Sequence, residues 1–481
     1  MHSVDGESAQ DPGTVFPPKP ATLEDCHRVI DAMGIELAQL REQMKLLQER
    51  LKLDSRNSSK PPSSDGPGGG NRAQRRASAR RRGAQVGHAG KFRALLDESQ
   101  VDRIVECPPP SVCECGAPVQ LAGKPLRHQV FDVPPVKAQL DEYRLYSGLC
   151  SGCGKPHRAP LPPGVPSGQI GPRALALIGA LGTRFHLTQF KIRDLLAQVL
   201  GVDFSVGAIS QAHGKLASAL QAPVAEAAAT LHAAPVLHMD ETHYPREGTT
   251  SGNWVWGAVQ PALAVFSILP SRARYVAREL IGAKPQGVIV TDRYAAYAYI
   301  DAGRRQVCWA HLLRDFTRMA QRTGQAGRIG HRLLGLGYVM FRWRQRGKLG
   351  EQAFEPLQRR VRAALETGAA QAQCTRTANT CANLLALWPA LWSFVTHPNV
   401  EPTNNAAEQA LRALVLKRKI SGPTRSRRGD EFIARGFSAY ESCRRQGKDL
   451  IEFLHAAVTA WIDKTTPPSL LPQQPAIAPS G

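Results

Sequence analysis

Residues 235–308 restrict the possible folds of this chain more than any other segment. Two apolar runs end in aspartate, PVLHMD at Asp240 and GVIVTD at Asp292. Between them lie two alternating stretches, GNWVWGAV and LAVFSIL, and the amphipathic stretch SRARYVARELIGA, and a last run, RQVCWAH, follows. The short apolar runs predict strands and the amphipathic stretch predicts a helix. The predicted order is three antiparallel strands, a crossover helix and two more strands, with the first and fourth strands side by side.

Such a mixed sheet is of the ribonuclease-H-like kind, and it predicts that Asp240 and Asp292 lie together. A third acid, Glu408, lies in NNAAEQALR, which is typical of the start of a helix. Strand ends and a facing helix are rigid enough to hold three carboxylates around two Mg²⁺ ions. The alternative is a chance placement of the aspartates, with Glu408 paired to Arg412 four residues on. Glu241, which extended geometry directs to the opposite face, is expected to be dispensable.

The chain resembles the insertion-sequence-66 family of bacterial transposases from about residue 26 to residue 460. The resemblance rests on NSSKPPSSDG, a cysteine-paired module, SGQIGPRALALIGAL, LGVDFSVGAIS, HMDETHY, VTDRYAAY, CWAHLLRDF and EPTNNAAEQALRALVLKRK, in this order. It implies a DDE-type transposase that uses Mg²⁺ or Mn²⁺ to cut the ends of its element and join them to target double-stranded DNA. The implied catalytic and metal-binding residues are Asp240, Asp292 and Glu408. Thr403 departs from the family, which often has Asp there, but Thr can also cap a helix.

The sequence Cys308-Trp-Ala-His311 follows the last predicted strand. As half of a zinc site it lacks a well-spaced second half, because Cys374 and Cys381 are far along the chain. Its resemblance to a Cys-x-x-His of several cut-and-paste transposases implies that His311 lies near the catalytic pocket. Cys308 and Trp309 are expected to serve packing.

The charge balance indicates a polyanionic partner. The chain has 61 Lys and Arg against 40 Asp and Glu, a formal net charge of +21. This favours nucleic acid over an anionic membrane surface. No apolar run approaches the ~18 residues of a membrane span, and the N-terminal residues lack the apolar core of a signal peptide. We therefore expect a cytoplasmic, nucleoid-associated bacterial protein whose cysteines are reduced or bound to metal.

The first predicted element is a coiled-coil helix. Ile30, Leu37, Met44 and Leu51 repeat every seven residues, and Met33, Leu40 and Leu47 occupy the complementary d positions. This pattern favours a homo-oligomer, at least a dimer, over a single helix packed on its own domain. After it, NSSKPPSSDGPGGG predicts a flexible linker. Residues 72–82 contain six arginines and no acid, which predicts a disordered tract able to contact phosphates.

Two cysteine pairs predict a zinc-ribbon-like module with one structural Zn²⁺. The expected ligands are Cys113, Cys115, Cys150 and Cys153, and a hairpin through HQVFDVPP and KAQLDEYRLY is expected between the pairs. The first pair has only one intervening residue, so Cys107 is an alternative ligand. Reduced cysteines without metal are the other alternative.

A helix-turn-helix is predicted after Gly171, and a basic segment follows Glu408. The helix after Ser205, its predicted N-cap, is expected to present His213 beside several DNA-binding side chains. Residues 409–429 contain seven Lys or Arg and no acid. The predicted DNA-binding residues are Ser210, Gln211, Lys215, Lys417, Arg418, Lys419, Arg425, Arg427 and Arg428.

The sequence therefore predicts a multidomain α+β protein. Its expected parts are an N-terminal coiled-coil helix (1–56), a disordered basic linker (57–95), a zinc-binding module (96–165), a helix-turn-helix domain (166–230), a ribonuclease-H-like catalytic core (231–465) with a helical insertion at about 313–400, and a disordered tail (466–481). A DNA-binding regulator without catalysis and a nuclease without strand transfer are the competing interpretations. A transposase of this kind also admits accessory proteins of the element as partners.

Overall fold

A computed structural model describes residues 22–51, 93–249, 252–347, 350–370 and 374–472. Within these residues the fold is mixed α/β, with 14 α-helices and a five-stranded sheet. The chain divides into two compact units. Among the described residues, the helical unit comprises those within 22–51, 311–346 and 357–382, and the sheet unit comprises the others. The predicted proline- and serine-rich linker and the arginine tract at 72–82 lie outside the described residues.

The sheet unit contains the predicted mixed sheet. Its strands are β3 (Val236–Tyr244), β4 (Asn253–Val259), β5 (Ala264–Leu269), β6 (Val288–Thr291) and β7 (Arg305–Val307). They lie in the order β5-β4-β3-β6-β7. The pairs β3–β4 and β4–β5 are antiparallel, and β3–β6 and β6–β7 are parallel. The crossover from β5 to β6 passes through the short helix α6 (Arg274–Ile281). The predicted neighbourhood of the first and fourth core strands is therefore confirmed.

The edge strand β7 is covered by a helix. Here α11 (Trp388–Thr396) supplies polar groups to the strand: the Ser393 hydroxyl donates to the carbonyl of Arg305 at 2.6 Å, and the Phe394 N–H donates to the Gln306 side chain at 2.9 Å. Trp309, just after the strand, donates its indole N–H to the Leu391 carbonyl at 2.7 Å. Covering an edge in this way removes a site for unwanted strand pairing.

Helices that precede the sheet in the sequence and helices that follow it pack into the same hydrophobic core as the strands. Buried side chains of the helices before β3 and after Glu408 belong to the same hydrophobic cluster as the strands. Ser205 caps α4 as predicted, since its hydroxyl accepts the Ala208 N–H at 3.1 Å. The helices are α2 (Pro172–Gly182), α3 (Gln189–Leu200), α4 (Val206–Ala219), α5 (Gln221–His232), α12 (Asn405–Ser421), α13 (Arg427–Gln446) and α14 (Leu450–Asp463).

Residues at the start of the predicted disordered tail are ordered. The side chain of Leu470 is fully buried in the hydrophobic core. The Gln446 side chain donates to its carbonyl at 2.7 Å, and Lys448 donates to the carbonyl of Leu471 at 3.0 Å. The remaining part of the predicted tail, 473–481, lies outside the described residues.

His213, expected at the surface of α4, is in the interior instead. Its ring stacks on Phe432 with a centroid distance of 3.8 Å, and only 8% of the residue is exposed. Burial, with the nearby Lys417 charge, lowers the pKa of His213 to about 3. The physical reason for the correction is that α4 packs against α13, so the His213 face of α4 is covered.

The buried imidazole should make the fold acid-sensitive. The folded-state pKa of about 3 is below the unfolded value of about 6.5. Below pH 6.5 the unfolded state therefore binds a proton that the folded state does not bind. Stability present above that pH is lost on acidification, by about 2 kcal/mol between pH 7 and pH 5. His213→Leu should reduce the accompanying fall in melting temperature by about 5 °C. Calorimetry at both pH values tests this, with the exposed His232→Leu as control; equal falls in wild type and His213→Leu would contradict it.

The cysteine segment forms two small turns on an exposed chain. Strands β1 (Ser147–Leu149) and β2 (Pro156–Arg158) pair around Cys150 and Cys153, and an isolated bridge joins Val112 to Pro118 around the first pair. The hairpin predicted over residues 128–146 is wrong, because no strand is present there. Pro134 and Pro135 cannot donate ladder hydrogen bonds, and nearly all side chains between them and β1 are exposed.

The helical unit contains most of the predicted insertion. Its helices are α7 (Trp309–Ala320), α8 (Gly324–Gln345), α9 (Glu351–Ala369) and α10 (Thr375–Ala386). The first residues of α7 and α9 and the last residues of α10 are assigned to the sheet unit. Gly330 lets α8 approach the end of α7, because a Cβ there would lie 2.2 Å from the Ala320 nitrogen. Arg322 donates to the Thr377 hydroxyl at 2.6 Å. The insertion is therefore helical, as predicted.

The N-terminal helix α1 (Leu23–Leu51) also belongs to the helical unit. The predicted heptad residues whose side chains are described are all exposed: Ile30, Met33, Leu37, Leu40 and Met44. None of the described helices combines the length and the apolar character needed to cross a bilayer.

Candidate active site

The register of the parallel strands places Asp240 beside Asp292. Strands β3 and β6 pair Val236 with Val288 and His238 with Val290. Each aspartate follows the second of these pairs by two residues. Adjacent strands lie about 4.8 Å apart, so the two carboxylates leave the sheet at neighbouring positions.

The face of the sheet on which Asp240 lies is the face covered by α12. Asp240 pairs with Gly257 of β4, so both Cα–Cβ directions point to one side. A Cβ at Gly257 would lie 3.4 Å from Leu411 of α12. Gly257 thus allows the helix to approach the sheet, and Leu411 lies one turn after Glu408. The three predicted carboxylates therefore belong to one face.

Asn404 fixes the beginning of α12 to the strand that carries Asp240. Its side-chain amide donates to the Met239 carbonyl at 2.7 Å, and its side-chain oxygen lies 3.2 Å from Nδ1 of His238. Its own carbonyl accepts the Glu408 N–H at 3.1 Å. The helix-capping position is occupied by Asn404 and not by Thr403, so the predicted cap is wrong. Asn404 has no side-chain capping bond because its side chain binds β3.

The loop after Asp292 is held from two sides. The Tyr294 N–H donates to a carboxylate oxygen of Asp292 at 2.9 Å. Arg305, from the neighbouring strand β7, donates to the Asp292 carbonyl at 2.6 Å and to the Thr291 hydroxyl at 2.9 Å. Burial lowers the pKa of this arginine to about 10, which leaves it charged at neutral pH. Sequence reasoning missed Arg305, although a charged residue in a short buried strand is a recognisable signal.

The carboxylates interact electrostatically. Burial raises the pKa of Asp240 well above its usual range, and the charges of Glu241, Asp292 and Glu408 raise it further. Clustered like charges of this kind are unfavourable without a cation. Hard divalent cations bind carboxylate oxygens, so this donor set fits Mg²⁺ or Mn²⁺.

Glu241 is buried and has structural partners that its position in the sequence did not suggest. Its side chain points to the opposite face, as predicted, but it is 1% exposed and ion-paired with Arg272 at 2.7 Å. It also accepts a hydrogen bond from the Tyr297 hydroxyl. The Arg272 guanidinium lies over the ring of Tyr294, with its carbon 3.7 Å from the centroid. Glu241 thus connects Asp240 to the loop that carries Asp292, and these tertiary partners left no local signal in the sequence.

The predicted DNA-binding cations of α12 differ in exposure. Lys417 is in the interior, where its ammonium donates to the Leu187 carbonyl at 2.8 Å. Burial lowers its pKa to about 8. Arg418 is half-buried and donates to the His243 carbonyl, whereas Lys419 is exposed. The interpretation of Lys417 as a phosphate contact is therefore corrected, because its amine faces away from solvent.

The remaining predicted DNA-binding residues lie at or near the surface. Arg428 donates to the hydroxyl of Ser210 at 3.2 Å, which joins the basic segment after α12 to helix α4. Arg425 and Arg427 are exposed and form surface ion pairs with Glu247 and Glu431. Gln211 is exposed and Lys215 is half-buried on α4.

The four predicted zinc ligands form two separate turns. The Cys113 carbonyl accepts the Gly116 N–H and the Cys150 carbonyl accepts the Gly154 N–H, both at 2.8 Å. Hydrogen bonds from backbone amides lower the pKa of the Cys115 and Cys150 thiols. Among the described residues, no three thiols of this segment, Cys107 included, lie within 4.8 Å of one another.

The Cys308 and Trp309 side chains serve packing, as expected. Both are fully buried, and Trp309 contacts Trp392 at a centroid distance of 5.1 Å. The Cys308 sulfur accepts the Asn404 N–H at 3.2 Å, which is a further link to the start of α12. His311 lies in the first turn of α7 within the helical unit, and its predicted place near the catalytic pocket stays a prediction.

Sequence comparison identifies the class of this protein. Residues 167–431 match the Transposase IS66 family, and this range contains the whole sheet and all three carboxylates. Since the match covers more than half of the chain, the protein belongs to the IS66 transposase family. Residues 17–94 match a family of unknown function (DUF6444). Among curated proteins, no relative matches the chain.

Proposed function

We propose that this protein cuts the ends of an insertion sequence and joins them to target DNA by metal-dependent phosphoryl transfer. The observation that carries the proposal is the meeting of Asp240, Asp292 and Glu408 on one face of a mixed sheet. The order of the five strands agrees with the mixed sheet expected of a ribonuclease-H-like core and so supports the proposal. Membership of the IS66 family supports the same reaction.

Each residue has a separate task in this reaction. Asp240 and Asp292 offer oxygens from adjacent strands, and Glu408 offers one from the facing helix. These residues would hold one or two Mg²⁺ or Mn²⁺ ions, which when bound activate a nucleophile and stabilise charge at phosphorus. Tyr294 and Arg305 keep Asp292 in place, and Asn404 keeps Glu408 in place. Cleavage by water leaves a 3′-hydroxyl, and attack by that hydroxyl on target DNA is the same in-line displacement.

The test is a strand-transfer assay. Purified protein is incubated with Mg²⁺, labelled duplexes that contain the element ends, and a target plasmid. We expect nicked ends and then labelled plasmid. Nicked ends without any labelled plasmid would favour a nuclease, and binding without either product would favour the DNA-binding regulator.

Surface contacts supply the proposed DNA affinity. Arg428 and Ser210 are hydrogen-bonded to each other, so α4 and the segment after α12 form one continuous surface. Phosphate contacts by Arg425, Arg427 and Arg428 would position the duplex, while Gln211 and Lys215 on α4 are the proposed helix-turn-helix contacts. Lys417 is left out of this surface because it is buried.

A structural Zn²⁺ is proposed for the cysteine segment. Each turn contains two thiols, and the pKa of one of them, Cys115 or Cys150, is lowered. A lowered pKa favours the thiolate form, which is the form that binds metal. The ion would bring both turns together in a segment that buries little apolar surface of its own. Cys107 is the alternative ligand in the first half of the site.

Pairing of chains through α1 is also part of the proposal. The seam of Ile30, Met33, Leu37, Leu40 and Met44 is exposed, and joining two element ends requires at least two active sites. A second copy of the same helix would bury this seam in a parallel coiled coil.

A further inference from the structure

We infer that the exposed face of α8 is a binding surface for double-stranded DNA. The inference rests on the proposed function only in taking DNA as the partner. Helix α8 runs through the helical unit and contains four arginines but no acid. Its apolar side, with Ile329, Leu333 and Met340, is buried.

The cations of α8 share one face. Arg328, Arg332 and Arg342 are all exposed, and helical geometry places them within about 40° of a common line. Between the first and the last of them the helix rises about 21 Å. None of the three takes part in an ion pair within the part of the chain that the structure describes. A duplex carries a charge every ~1.7 Å along its axis, so a straight row of this length faces several phosphates.

Gly335 gives an independent indication of a partner. It lies in the middle of the same face, and a Cβ there would have nothing within 4 Å. Glycine inside a helix is about 1 kcal/mol less favourable than alanine, so the position has a cost without a packing reason among the described residues. Close approach of another molecule to the helix backbone is a use for this glycine. Tyr338, which is 55% exposed, borders the same face.

Helix α9 provides the contrast. Two of its three exposed arginines have an acid four residues away: Glu355 precedes Arg359, and Glu366 follows Arg362. Such i,i+4 pairs are typical of a solvated helix surface. The row of arginines on α8 has no acid in its own helix to pair with. This difference favours a polyanion as the molecule that binds to α8.

The experiment measures binding of the full-length protein to a random-sequence duplex of about 30 base pairs at several salt concentrations. Arg328→Ala/Arg332→Ala/Arg342→Ala should weaken binding at least tenfold near physiological salt and lower the salt slope by about 3. The matched triple, Arg359→Ala/Arg360→Ala/Arg362→Ala, removes the same charge from α9 and should change affinity less than threefold. Equal effects of the two triples would overturn the inference.

Gly335 gives a test that leaves charge unchanged. Gly335→Leu should keep or raise the melting temperature, because leucine favours a helix and space is open, yet weaken duplex binding about tenfold. Unchanged affinity would contradict a close approach. If the α8 triple affects binding of single-stranded RNA but not of the duplex, the partner class is wrong. If the wild type binds no duplex at all, the proposed function itself fails.

Discussion

Replacement of any one of the three carboxylates by its amide should abolish strand cleavage and strand transfer. The expected variants are Asp240→Asn, Asp292→Asn and Glu408→Gln. Loss of one metal ligand removes several kcal/mol of transition-state stabilisation, so rates should fall roughly a thousandfold or more. The measurement is single-turnover cleavage of labelled end duplexes at saturating protein.

The amide variants separate charge from structure. Asn at position 292 can still accept the Tyr294 N–H, and Asn at position 240 can still accept the Glu241 N–H. Because like charges raise the pKa of Asp240, removal of one negative charge should leave the melting temperature unchanged or raise it. DNA affinity should stay the same or increase slightly.

Two controls bracket this result. Asp301→Asn changes an exposed aspartate on the loop after β6, and its amide can still accept the Gly303 N–H. Glu401→Gln changes an exposed glutamate just before α12. Both should retain near wild-type rates. If Glu408→Gln remains active while Glu401→Gln does not, the third ligand is misassigned; if all three amide variants remain active, the catalytic proposal is wrong.

Metal substitution gives a further check on the same site. Mg²⁺ or Mn²⁺ should support both steps, whereas Ca²⁺ should support binding without chemistry because its oxygen coordination is looser. Glu241→Ala is unsuitable as a neutral control. It would leave Arg272 and the Tyr297 hydroxyl without their buried partner, which is strongly destabilising for an ion pair of this kind.

The sheet order and the three carboxylates were accessible from the sequence because their signals are local. Strand periodicity is visible in GNWVWGAV and LAVFSIL, and a helix between strands implies a crossover that makes β3 and β6 neighbours. Asp240, which ends the apolar run PVLHMD within β3, and Asp292, which directly follows β6, are then placed by topology alone. The helix signal around Glu408 is likewise contained in a few residues.

The burial of His213 and Lys417 was not accessible in this way. Each lies on an amphipathic helix, and the partners that cover them are Phe432 and the Leu187 carbonyl, both far away in the sequence. Charge counts treat a buried and an exposed lysine alike. The hairpin predicted at residues 128–146 is absent for a different reason. Apolar residues alternate with polar ones there, as in a strand, but no hydrophobic core covers them.

Asn404 should be the most important residue of the site that does not touch metal or DNA. Asn404→Ala removes the donor to the Met239 carbonyl and the partner of His238, and it leaves both groups buried. Each unsatisfied buried group costs roughly 1–3 kcal/mol, so the melting temperature should fall. Because the carbonyl of residue 404 also binds the Glu408 N–H, the start of α12 should shift relative to β3.

A shift of about 1 Å in one ligand is enough to lower a catalytic rate roughly a hundredfold. We therefore expect Asn404→Ala to reduce strand cleavage by about this factor and to raise the Mg²⁺ concentration needed for half-maximal rate, while duplex affinity stays unchanged. The matched control is Asn405→Ala, the next residue, whose side chain is exposed at the first position of α12. A purely structural role would lower stability without moving the Mg²⁺ dependence. An Asn404→Ala protein with wild-type metal dependence and wild-type rate would show that Glu408 is held in place by other contacts.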